Sequence, residues 1–233
     1  MANAFTQFRS VTNEPFRDQW VTEKLRQHRP VGDTPRLLDV GAGLSRYRCV
    51  AESAGYAYLS HDFNAYQPTG AQPGLQNDSW SYPTHDFVCD ILDLPEDQTY
   101  DAVLCTEVLE HVPDPARAFN KLARLTASGG RVIVTVPILS LMHQAPFWFS
   151  SGLSPFWFRH WSERLGLDVT ELAIHGDYAD LMAQEWARVL RAVPGGPIWS
   201  SAVGRSDKWF RRVLPDALLE SAGFGTLFVA TKK

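Results

Sequence analysis

The run Leu37-Leu38-Asp39-Val40 passes without interruption into Gly41-Ala42-Gly43. A short apolar β-type run that stops at a glycine turn and leads into a helical stretch opens a βαβ unit. Such a unit needs a parallel partner strand and a helix on the face of the sheet. Later segments repeat the rhythm. Residues 56–60, 87–89, 101–106 and 131–136 read as strands, and residues 14–28 read as a leading helix. Ala118, Phe119, Leu122, Ala123 and Leu125 recur at helical spacing ahead of a Ser128-Gly129-Gly130 stop. Strands alternating with helices predict an α/β fold with a mostly parallel sheet covered on both faces.

Beyond Pro137 the pattern loosens. Residues 147–161 are crowded with aromatics, 167–174 read as a strand, and 178–193 carry an apolar helical stripe. A linker is expected at 194–197, a helix broken near Pro215 over 208–222, and a closing strand at 224–231. The 233 residues fit one domain, with a core at 36–137, a variable acceptor or lid region at 138–222 and the closing strand.

Composition narrows the partners. A formal charge of -4 argues against a surface built to neutralise phosphates, so nucleic acid is not expected. Cys49, Cys89 and Cys105 are odd in number and widely separated, which reads as reduced core residues of a cytoplasmic protein. No segment has the apolar run of a membrane span or of an export signal.

In a doubly wound sheet, ligands sit at the carboxyl ends of the strands where strand order reverses. The Gly41-Ala42-Gly43 turn lies at such an end. A dinucleotide site needs a third glycine three residues after Gly43, and Arg46 stands there. Asp39 at the mouth of the turn would also repel a pyrophosphate while suiting a cationic ligand. Asp62 closes the second strand at the position of a ribose acceptor, although a turn aspartate or helix cap would look the same. Asp90-Ile91 closes the third strand, offering a carboxylate for an exocyclic amine and an apolar side chain for a purine face.

Four motifs, taken together, closely resemble class I S-adenosylmethionine (SAM) dependent methyltransferases of the ubiquinone-biosynthesis type. They are Leu37-Leu-Asp-Val-Gly-Ala-Gly43, Asp90-Ile-Leu-Asp-Leu-Pro95, Tyr100-Asp-Ala-Val-Leu-Cys-Thr-Glu-Val-Leu-Glu-His-Val-Pro-Asp-Pro115 and Ser128-Gly-Gly-Arg-Val-Ile-Val-Thr-Val-Pro137. The resemblance implies a Rossmann-like, seven-stranded sheet whose last strand runs antiparallel. It places Asp39, Gly41 and Gly43 at the methionine part of SAM and Asp62 at the ribose, with Ala42 and Phe63 as further cofactor-binding residues. It also places Asp90 and Ile91 at the adenine, and Thr106 and Glu107 beside the sulfonium. Two features depart from the family: the turn continues as Leu44-Ser45-Arg46-Tyr47, and the loop at 64–83 is long.

For the chemistry, His143 follows the fifth strand on the rim that should face the acceptor, and His111 lies in the Leu-Glu-His motif. Methylation of a hydroxyl calls for a base of this kind. His175 with Asp177 is a weaker candidate. No short His-x-x-His or Cys-x-x-Cys spacing suggests a metal, and none is expected to be required. The aromatic run at 146–158 suits a lid, a core patch or a homodimer contact. The expected activity is transfer to a hydroxyl of a small glycan-related or secondary-metabolite acceptor. The alternatives are N- or C-methylation, a silent SAM-binding module and, third, a dinucleotide oxidoreductase.

Overall fold

The computed structural model describes residues 5–30, 34–68, 70–77, 79–192, 209 and 211–233. In chain order the elements are β1 (Thr6–Phe8), α1 (Asn13–Gln27), β2 (Arg36–Val40), α2 (Arg48–Ser53), β3 (Ala57–Asp62), β4 (Phe87–Val88) and β5 (Tyr100–Thr106). There follow α3 (Pro115–Leu125), β6 (Thr126–Pro137), α4 (Pro155–Leu165), β7 (Leu167–His175), α5 (Tyr178–Ala192), α6 (Asp216–Leu219) and β8 (Gly225–Lys232). The strands form one sheet in the order β1-β7-β8-β6-β5-β2-β3-β4. β8 runs antiparallel to both β6 and β7, and the other pairings are parallel.

From β2 the chain steps outward to β3 and β4, then returns to β5 on the other side of β2. The gap between the carboxyl ends of β2 and β5 is therefore the switch point, where two connections diverge and leave a crevice.

Alternation along each strand sorts the apolar residues into two layers. Leu38, Val40, Val103, Val132, Val134 and Phe228 face α3 and α4, whereas Leu37, Leu104, Ile133 and Val229 face Trp20, Val21 and Leu25 of α1. Asp114 caps α3 by accepting from Arg117 N (3.0 Å), with Pro115 at the first helical position. The Ser154 side chain caps α4 on Trp157 N (3.3 Å), and Gly166 ends it at φ 67°.

The sheet has eight strands where seven are expected. The additional one, β1, is three residues long and pairs in parallel with β7 at the sheet edge, too short to show a period of its own. Its Gln7 amide donates to the carbonyls of Gly176, Leu219 and Ala222, so it is fixed by carbonyls from distant segments. The glycine stop after α3 also shifts. The helix ends at Leu125, and Gly129 (φ 76°) bends a bulge within β6 before the ladder with β5 resumes at Arg131. Of the cysteines only Cys105 is buried; Cys49 is exposed on α2, and all three are free thiols. The linker expected at 194–197 and residues 208 and 210 of the helix expected at 208–222 lie outside the described residues. Among the described residues no helix is long and apolar enough to cross a membrane.

Candidate active site

The turn after β2 is held open by its neighbour strand. Gly41 (φ 71°) and Gly43 (φ 53°) take left-handed backbone conformations that favour glycine. A Cβ on Gly41 would overlap the Val108 side chain. Ala42 N donates to the His61 carbonyl (2.8 Å), Gly41 N donates to His61 Nδ1 (3.4 Å), and His61 Nε2–H donates to the Cys89 carbonyl (3.0 Å). His61 is thus a neutral clip joining β2, β3 and the end of β4, and burial lowers its pKa. Asp62 accepts from Gly43 N (2.9 Å) on one oxygen and Asn64 N (3.0 Å) on the other. Asp39 lies beneath the turn, accepting from the Tyr58 hydroxyl (2.6 Å) while its Oδ1 has no partner. Burial pushes its carboxyl up to about 7.

At the end of β5, Glu107 has φ 55° and accepts from the Thr135 hydroxyl (2.9 Å). Its second oxygen meets Arg17 of α1 at 3.0 Å. Glu110, fully buried, has no hydrogen bond to either carboxyl oxygen, and burial with Glu107 nearby holds its pKa well above the carboxylate range. His111 Nδ1–H donates to the Phe147 carbonyl (2.5 Å), leaving Nε2 as the lone-pair nitrogen. Burial, and then the His143 ring, push His111 down to about 4. His143 Nδ1–H donates to the Leu141 carbonyl (2.9 Å), and the two imidazoles meet edge to face at 4.8 Å. Donor atoms of Glu110, His111 and His143 all lie within 4.8 Å of one another, a set able to hold a cation.

These groups surround one cavity of about 490 Å³ at the switch point. That is a ligand-sized volume. Gly41, Ala42, Gly43, Asp62, Phe63, Thr106, Glu107, His111 and His143 line it. Three expected residues stand back from the wall. Asp39 is in the layer below the turn, Asp90 is exposed and caps a 3₁₀ turn through Leu92 N (2.8 Å), and Ile91 is buried in the core beside α3. His175 is a core residue, stacked on Phe16 with Nε2 bonded to the Thr12 carbonyl. The aromatic run divides between roles: Phe147 lines the cavity, Phe158 is buried against Phe119 and Phe228, and Phe149 and Phe156 are exposed. The sequence reading missed Arg17, Gln184 and Arg188, which reach the cavity from α1 and α5, and Tyr66, Trp80 and Tyr82 from the loop after β3. The tyrosines and tryptophan of that loop were the available signal.

Residues 38–134 match the family described as methyltransferase domain. This segment is similar to methyltransferase domains. Ubiquinone biosynthesis O-methyltransferase of Bordetella bronchiseptica is 32% identical over 102 residues, covering 42% of this chain and 40% of the relative. Chloroplastic tocopherol O-methyltransferase of Arabidopsis thaliana is 33% identical over 103 residues, covering 42% and 29%. The matches span 29% to 40% of the lengths of these two curated relatives. Magnesium protoporphyrin IX methyltransferase of Synechocystis PCC 6803, solved with bound SAM, superposes with a TM-score of 0.52 at 14% identity, covering 94% of this chain and 79% of that one.

The domain's own residues suit the SAM of this class. The glycine turn brings backbone without a Cβ to the cavity wall, and Asp62 keeps free lone pairs there.

Proposed function

We propose that this chain is a SAM-dependent methyltransferase acting on a hydroxyl of a small-molecule acceptor. The observation that carries the reading is that one cavity is lined both by the glycine turn with Asp62 and by the His111–His143 pair. Bound SAM supplies a methyl group on a positively charged sulfur, so the electrophile is already activated. The protein then has to align the acceptor oxygen and remove its proton. His143 Nε2 takes that proton, because its Nδ1–H is committed to Leu141 and the ring lies on the cavity wall. His111, less basic through burial, packs against His143 and fixes its ring plane. Leu139, Leu141 and Phe147 supply apolar wall beside the histidines. The relatives are both named O-methyltransferases, which supports oxygen as the atom methylated.

Labelled SAM offered with a panel of sugar nucleotides and phenols tests this. The expected result is label on an acceptor oxygen, with His143→Ala lowering kcat by about 10²- to 10⁴-fold at nearly constant SAM affinity. SAM binding without transfer to any acceptor would make the chain a binding module instead. A second reading rests on the convergence of Glu110, His111 and His143. Turnover that survives dialysis against a chelator keeps His143 as the base; loss restored by a divalent ion would turn the three side chains into ligands.

A further inference from the structure

The connection between β3 and β4, described at residues 63–68, 70–77 and 79–86, runs across the cavity rather than directly from one strand to the next. It is tied to itself. Tyr66 N donates to the Tyr82 hydroxyl (3.1 Å), that hydroxyl donates to the Tyr66 carbonyl (3.1 Å), and the Tyr66 hydroxyl donates to Gln76 (3.0 Å). Trp80 sits between the two tyrosines, with ring centroids 5.9 Å from Tyr66 and 6.1 Å from Tyr82. The Trp80 indole also lies over the glycine turn: a Cβ on Gly43 would come 3.2 Å from its Cζ2. Gly43 is the residue whose N–H is held by Asp62.

The far end of the connection is fastened too. Leu75 N donates to the Met142 carbonyl (2.8 Å) and Gln144 N donates to the Leu75 carbonyl (3.0 Å), so the segment pairs with the loop carrying His143. Gly74 (φ 82°) allows the approach, since a Cβ there would stand 2.6 Å from the Met142 carbonyl oxygen.

A nucleoside whose ribose meets Asp62 needs a flat apolar surface beside that carboxylate. Asp90 and Ile91 do not offer one, because the first is exposed and caps a turn and the second is in the core. We infer that the described residues of this connection form a strap whose Trp80, braced by Tyr66 and Tyr82, is the stacking wall for the purine of the cofactor. The strap's pairing with residues 142–144 sets the acceptor loop in register with that wall. Both statements rest on the SAM reading above. Stacking of a base on an aromatic ring is tolerant in detail and lost on truncation.

The test compares binding of S-adenosylhomocysteine with that of S-ribosylhomocysteine, which lacks the purine, in wild type, Trp80→Phe and Trp80→Ala. Wild type should prefer the purine-bearing ligand. Trp80→Ala should weaken S-adenosylhomocysteine by about 5- to 150-fold while leaving S-ribosylhomocysteine within a few-fold, and Trp80→Phe should keep most of the preference. A Trp80→Ala protein that retains the full preference, or loses affinity for both ligands equally, overturns the strap assignment. Wild type that binds neither ligand would instead defeat the SAM reading. Should Trp80→Ala fail to fold, Trp80→Leu takes its place with the same expected outcomes, and adenosine that does not compete with S-adenosylhomocysteine in wild type overturns the purine wall by itself.

Discussion

At the scale of single residues, the site separates charges by depth. Asp62 stays on the cavity wall with both oxygens hydrogen-bonded, while Asp39 one layer down has a single partner and little solvent. Burial therefore raises Asp39 to about 7, with Asp62 adding to the rise and the Tyr58 hydroxyl opposing it. In the unfolded chain an aspartate ionises near about 3.9. The folded form holds the proton more tightly, so Asp39 contributes a loss of stability as pH rises from about 4 to about 7, and no further loss above. Asp39→Asn removes that titration. The melting temperature of the variant minus that of wild type should climb over this interval and then level off. A difference that stays flat from pH 4 to pH 8 would mean that Asp39 is ionised throughout in the folded protein.

At the scale of elements, the turn between β2 and α2 carries the heaviest steric demand. Gly41→Ala forces a left-handed non-glycine residue, at about 1–2 kcal/mol, and drives a Cβ into Val108. Gly129→Ala meets no atom within 4 Å at a similar φ of 76°, so it isolates the backbone cost. Urea unfolding should show Gly41→Ala the more destabilising of the two by about 1–3 kcal/mol; equal costs would mean that Val108 moves away freely. The same turn shows why part of the molecule was legible. Leu37 to Gly43, the α3 stripe and the β-branched β6 each carry a periodic or steric signal within a few residues. β1 and the strap do not. The first is defined by its pairing with β7, and the second by hydrogen bonds between tyrosines and carbonyls distant in sequence. Asp90 is ambiguous in sequence, because a strand-end aspartate that binds a ligand and one that caps a turn look the same; the structure shows the cap, with Oδ1 accepting from Leu92 N. His111 and His143 were readable as candidates, but the bonds to Phe147 and Leu141 that assign their lone pairs come from loop geometry alone.

At the scale of the whole molecule, the sheet order brings the ends of β2, β3 and β5 to one rim, and α1, α5 and the strap wall it. Arg17 illustrates the closure: it leaves α1, crosses to Glu107 at the end of β5 and joins the leading helix to the site. The central claim is that this rim holds an adenosyl sulfonium and not a dinucleotide. Arg46 stands at the helix-packing glycine position of a dinucleotide motif and is engaged with Asp18, and Asp62 lines the cavity beside the glycine turn. Titration calorimetry with S-adenosylhomocysteine and NAD tests that claim most directly. The account predicts one site of micromolar affinity for S-adenosylhomocysteine, weakened by about 1–3 kcal/mol in Asp62→Ala, and no heat from NAD. Binding of NAD, or S-adenosylhomocysteine affinity undiminished in Asp62→Ala, would contradict it.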